Sequence, residues 1–170
     1  MTRNGRNHLP VSDNISNDLE SEWIWGRVRT TVNDTKLQSA ASNDETEILR
    51  LIEQWAKAVR EENRTAIRAN HDPGILMFDV PPPFLSRGLD DYMATWEKFF
   101  SSSERPVAFT LHDVQVTCGQ DVAFATAMGR CVDIDANGSR EPLEFRLTVG
   151  LRKLDDRWRV VHEHHSLPAT

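Results

Sequence analysis

The chain is poor in several things, and each lack narrows its chemistry. It has only two cysteines, Cys118 and Cys131, in 170 residues. Their separation matches no metal-ligand spacing. Both fall in alternating apolar segments, which favours buried thiols over a disulfide. No apolar run approaches the ~20 residues that a membrane-spanning helix needs, so no membrane partner is expected. The opening MTRNGRNHLPVSDN has no hydrophobic stretch of the secretory kind, and the expected location is cytoplasmic. Basic residues are in the minority, with 20 Lys and Arg against 26 Asp and Glu and a net charge of −6. A nucleic-acid partner requires a basic surface, so none is expected.

Residues 1–42 are rich in Asn, Ser, Thr, Arg and Asp. Such a segment buries too little apolar area to offset its chain entropy, and it reads as a polar, disordered N-terminal extension. Within it, Trp23, Ile24, Trp25 and Val28 could form a short amphipathic piece. The domain proper is expected at 43–170. Ser42 with Glu45 forms a capping box, and Ile48, Ile52, Trp55 and Val59 then recur at helical spacing. ENRTAIRANH reads as a second, short helix opened by Asn63 and stopped by Pro73-Gly74. ILMFDV reads as a strand, PPPF as a loop, and the stretch after Arg87-Gly88 as a third helix. From Pro106 the period changes to two. Parity switches near His112-Asp113, which predicts a β-bulge. DANG is read as a hairpin turn and LDDR as another tight turn. Helices first and then a long antiparallel meander predict an α+β domain, with helices on one face of a bent sheet.

Strand parity sorts the candidate site residues. Ala123, Ala125, Ala127, Gly129 and Cys131 share one face and are all small. Such a strip admits either a closely packed helix or a cavity. Asp79 shares a face with Ile75 and Met77. A carboxylate in line with core residues serves either as a general base near neutrality or as a cap for the N–H groups of the PPPF loop. In VVHEHHSLP, simple alternation puts Trp158, Val160, His162 and His164 on one face and Arg159, Val161, Glu163 and His165 on the other. His162 and His164 would then project together, Cβ atoms roughly 7 Å apart. Zinc needs more ligands than these two, so pocket-lining or structural imidazoles are expected, and no metal. Arg146 shares a face with Glu144, Thr148 and Gly150, as a solvated charge or an anion clamp.

The ordered set ILMFDVPPPFLSRGLDDYMATWEKFF, GQDVAFATAMGR, FRLTVGLRK and DDRWRVVHEHHS, spanning about Glu45 to Pro168, resembles the SnoaL-like branch of the nuclear transport factor 2 / ketosteroid isomerase superfamily. The resemblance implies a cone-shaped fold, with three N-terminal helices packed on a strongly curved, mainly antiparallel sheet. It also implies a deep apolar pocket and commonly a homodimer. Asp79 matches the position of the ketosteroid isomerase base, whose partners are a Tyr and a protonated Asp. Here Trp55 stands where the helix-one Tyr would be, and Thr148 or Arg146 where the second Asp would be, which argues against steroid isomerisation. WRVVHEHHS also resembles the last strand of the calcium/calmodulin-dependent kinase association domain, a member that binds and assembles.

Two functions are therefore expected, because the fold hosts both. The first is an isomerase, cyclase or dehydratase without a cofactor, acting on a small apolar carbonyl compound. In it Asp79 is the base, His164 and His162 are acids or second bases, and Arg146 or the Trp55 N–H stabilises the enolate. Trp55, Phe84, Trp96 and Phe99 would form the apolar wall, with Arg146 and Thr148 completing the substrate contacts. The second is a ligand-binding or oligomerisation module without catalysis.

Overall fold

The computed structural model describes residues 34–103, 105–134 and 140–169, with the backbone alone for 34–42, 133, 134, 140 and 141. The segment Trp23–Val28, most of the polar extension and the Asn137-Gly138 turn lie outside the described residues.

Helix α1 (Asp34–Arg60) carries the predicted apolar stripe, with Ile48, Ile52, Trp55 and Val59 buried. Its backbone is helical from Asp34, so Ser42 lies inside the helix and not at a cap. The anchor of this region is Asp44, which accepts from Lys153 Nζ at 2.7 Å and Trp158 Nε1 at 3.1 Å. Helix α2 (Arg64–Arg68) is capped by Asn63, whose side chain accepts from the Ala66 N–H. It ends sooner than the sequence suggests. Strand β1 (His71–Phe78) begins at once and contains Pro73-Gly74. The pairing of β1 is irregular between His71 and Leu76, where a proline without an N–H interrupts no ladder bond. A two-residue strand, β2 (Ser86–Arg87), and helix α3 (Leu89–Ser102) follow, with Tyr92, Met93, Trp96 and Phe100 buried.

The meander is β3 (Phe109–Cys118), β4 (Val122–Ile134), β5 (Arg140–Leu154) and β6 (Arg157–Ser166). With β1 and β2 they form one curled six-stranded sheet of order β2-β1-β6-β5-β4-β3, antiparallel throughout except for the parallel β1–β6 pair. The expected bulge in β3 is present. Its register shifts between His112 and Gln115, with Asp113 at φ 53°. The β5–β6 turn is tight, with Asp155 and Asp156 both at positive φ, a conformation that aspartate tolerates better than most residues.

A second bulge corrects the parity expected for β6. Leu151 pairs with Val160 and Gly150 with His162, so Val161 is the extra residue. Alternation resumes one step out of phase. Trp158 and Val160 point into the core, and beyond the bulge the inward residues are Glu163 and His165, at 1 % and 8 % exposure. No described helix is long and apolar enough to cross a membrane.

The small strip on β4 is covered along part of its length and borders a cavity at one end. Ala123, Ala125 and Ala127 are in the closed core, and the Phe145 ring lies directly over Gly129, where any Cβ would collide with it. Cys131, at the far end, lines a cavity.

Candidate functional site

The cavity, about 440 Å³, lies between α3 and the concave face of the sheet. Its apolar wall includes Met77, Trp96, Phe99, Phe109, Leu143 and Phe145. The aromatic side chains meet edge-on, Trp96 against Phe99 at 5.7 Å and Phe109 at 5.8 Å between centroids. That preference of ring edges for ring faces holds a rigid wall. Lys98 stands at the rim, exposed, with no ion pair among the described residues.

The polar part of the wall is Asp79 and His165. Asp79 follows the last residue of β1, directly before the proline loop. Its Oδ1 accepts from the Val80 N–H at 2.8 Å and meets His165 Nδ1 at 3.1 Å. Oδ1 is the cap of the loop, while Oδ2 has no partner among the described residues. The side chain is 16 % exposed.

Behind His165 the polar groups continue into the core. Glu163 Oε1 accepts from Tyr92 OH at 2.9 Å and meets His71 Nε2 at 2.7 Å. Trp55 Nε1 donates to the same Tyr92 oxygen at 3.0 Å, which leaves the phenolic proton for Glu163. Burial first, and then the charge of Glu163, hold the Tyr92 phenol well above its ordinary range. Glu163 Oε2 and His165 Nε2 are both buried without a hydrogen bond, 3.7 Å apart. Unpartnered groups of this kind are rare and costly in a native core. Among the described residues, no three His, Cys, Asp or Glu side chains converge as metal ligands.

A model of the SnoaL-like domain matches residues 48–170. The chain belongs to the SnoaL-like domain family. Among solved structures it is 32 % identical to an NTF2-like protein of unknown function from Pseudomonas putida KT2440, with a TM-score of 0.68 over 76 % of this chain and 89 % of that one. A ketosteroid isomerase-like protein from Erwinia carotovora atroseptica is 17 % identical, with a TM-score of 0.62 over 75 % and 98 %. The association domain of C. elegans CaMKII is 18 % identical, with a TM-score of 0.59 over 76 % and 99 %. The last two share the nuclear transport factor 2-like fold. No curated protein matches the sequence.

Within this SnoaL-like domain the residues singled out from sequence part into two groups. Asp79, Trp96 and Phe99 line the cavity. Trp55 stands one layer behind, edge-on to Trp96 and Phe109, with its N–H engaged by Tyr92. The others lie elsewhere. His162 donates from Nδ1 to the Leu76 carbonyl at 2.8 Å and packs on Phe78. His164 is exposed, opposite Thr148 and Phe78 on the convex face. Arg146 is exposed and donates to the Leu167 carbonyl at 2.7 Å. Phe84 is 93 % exposed and lines an outer groove with Phe78, His164 and Asp79, so Asp79 borders both this groove and the cavity. The Val161 bulge accounts for the two histidines. Arg146 and Thr148 follow from β5 alternation, since Phe145, Leu147 and Val149 take the core face. Sequence reasoning missed His165, Glu163, His71 and Tyr92 as a set. The available signal was the apolar pair Val160-Val161, two consecutive β-branched residues where a half-buried strand should alternate.

Proposed function

We propose that this SnoaL-like domain is a cofactor-independent enzyme of the isomerase, cyclase or dehydratase kind, acting on a small apolar carbonyl compound with Asp79 as the general base. One observation carries the reading. Asp79 sits at the wall of an apolar cavity with Oδ1 tied by two contacts and Oδ2 unengaged. Tying one oxygen fixes the carboxylate, and the apolar surroundings strengthen its interaction with a proton on a carbon next to a carbonyl. In the step, the C–H bond breaks, its proton passes to Oδ2, and its electron pair moves into the carbonyl to give an enolate. His165, and not His164 or His162, is the imidazole beside Asp79, as the ring that fixes its carboxylate. The test is proton exchange. Cyclic ketones and enones are incubated with the protein in D₂O, and loss of the α-hydrogen signal is followed by NMR. Exchange that is catalysed by the wild type and absent in a folded Asp79→Asn variant supports the reading. Equal exchange in both would remove Asp79 from it.

The binding-module alternative also has a supporting observation. Val122 and Phe124 are 56 % and 49 % exposed on the convex face of β4, an apolar pair suited to a second copy of the chain. Sedimentation of the wild type and of Phe124→Lys tests that homodimer. A monomer in both would leave the exposed pair without this role.

A further inference from the structure

The least expected group in the core is Glu163, and its two oxygens are unequal. Oε1 has two donors, Tyr92 and His71. Oε2 has none and faces His165 Nε2 at 3.7 Å, within ion-pair range. The other nitrogen of that ring, Nδ1, is 3.1 Å from Asp79 Oδ1. One imidazole thus stands between two carboxylates, one at each nitrogen. Phe145 of β5 and Trp96 of α3 also pack against the ring, at 5.1 and 6.4 Å between centroids. Asp79 from the loop after β1 and Glu163 from β6 are the carboxylates within ion-pair range of the ring among the described residues, and Cys131 of β4 lines the same cavity.

A neutral imidazole has a single N–H and serves one carboxylate. Its other nitrogen then turns a lone pair toward a carboxylate oxygen, which is repulsive in a buried site. A ring carrying protons on both nitrogens serves both. We propose that Glu163 is a positioning residue for the Asp79 site: with Asp79 it holds His165 as a doubly protonated ring, Nδ1–H on Asp79 and Nε2–H toward Glu163. The ring cannot rotate or change tautomer without losing one carboxylate. Asp79 Oδ1 therefore stays engaged, and Oδ2 stays free to meet a ligand. In turnover the ligand's proton goes to Oδ2 and returns to the ligand from there, while the Nδ1–H bond stays in place.

The inference rests on the reading of Asp79 as the base, but its test needs no ligand. The full chain is labelled with ¹⁵N-histidine, and the His165 signals are assigned by their loss in His165→Gln. Protonation of each ring nitrogen is then read from its shift at pH 7. In the wild type both His165 nitrogens are expected to be protonated. In Glu163→Gln the ring should lose the Nε2 proton and keep Nδ1–H on Asp79. In Asp79→Asn it should lose the Nδ1 proton and keep Nε2–H toward Glu163. A wild-type ring with one proton overturns the proposal, as does a doubly protonated ring that survives Glu163→Gln. Asp79→Asn changes a partly exposed side chain and keeps the test decisive if Glu163→Gln fails to fold, because an Nδ1–H tautomer there would remove Glu163 from the arrangement. Failure of this test leaves the D₂O exchange test of Asp79 intact.

Discussion

The two faces of β6 carry the same kind of residue and do different work. Glu163 and His165 on the concave face are buried, bonded to α3 and β1, and adjoin the cavity. His162 and His164 on the convex face pack on Phe78, and His164 is exposed. Only the Val161 bulge separates one assignment from the other. A histidine's chemistry is set by the face to which the backbone delivers it, and one inserted residue decides the face.

The largest effect that can sharpen this contrast is on stability. Glu163→Leu leaves Tyr92 and His71 buried without their acceptor, and should cost about 3 kcal/mol. His164→Leu on the convex face should stay within about 0.5 kcal/mol. Urea unfolding of both variants checks the pair, and similar losses would mean that the two faces are not so different. Next come two glycines, one on β4 and one on β5. Gly129→Ala drives a methyl group into the Phe145 ring on the concave face and should cost about 1–3 kcal/mol. Gly150→Ala on the convex face meets His162, at 3.2 Å from its Cβ and 4.0 Å from its carbonyl oxygen, and should cost less than about 1 kcal/mol. Thermal melts rank them.

The single tyrosine of the chain offers a cleaner probe of the concave network. The Tyr92 phenol is held well above its usual range by burial and by Glu163. The folded state therefore keeps a proton that the unfolded state gives up as pH rises through the ordinary tyrosine range. The stabilisation is complete below that range and is lost above it. Absorbance near 295 nm should stay flat until alkaline unfolding, and ionisation in the folded state with an ordinary midpoint would contradict the buried Trp55–Tyr92–Glu163 arrangement. The smallest effect lies at the Asp44 anchor of α1. Burial pushes the Asp44 carboxyl up, but the hydrogen bonds from Lys153 and Trp158 outweigh it, and the value ends below the usual one. Its contribution is present at neutral pH and is lost as pH falls through that lowered value. Asp44→Asn should be less stable than the wild type at pH 7, and the gap should close in acid.

Much of the fold was legible because its signals are local. The apolar stripe of α1, the Asn63 cap, the period-two meander and the β3 bulge all follow from neighbouring residues. Asp79, Trp96 and Phe99 were legible for the same reason, since the parity of β1 and the spacing of α3 are undisturbed up to them. The partner of Asp79 was not, because alternation carried across Val161 exchanges His164 for His165. His71 was hidden by its place beside Pro73-Gly74, which reads as a helix stop although the strand runs through it. Tyr92 carried the helical period but gave no sign that its hydroxyl meets a carboxylate 71 positions later. Such long-range pairing is a property of the sheet order and not of any window of sequence.

The most direct test of the central claim, that the concave face holds the reacting groups, sets two single variants side by side. α-Hydrogen exchange of the ketone or enone most rapidly turned over by the wild type is measured for Asp79→Asn and for His164→Ala. The account predicts a loss of about 10²-fold or more for Asp79→Asn, with its melting temperature nearly kept, and no more than about a twofold change for His164→Ala. Retained exchange in Asp79→Asn with loss in His164→Ala would place the chemistry on the convex face and contradict it.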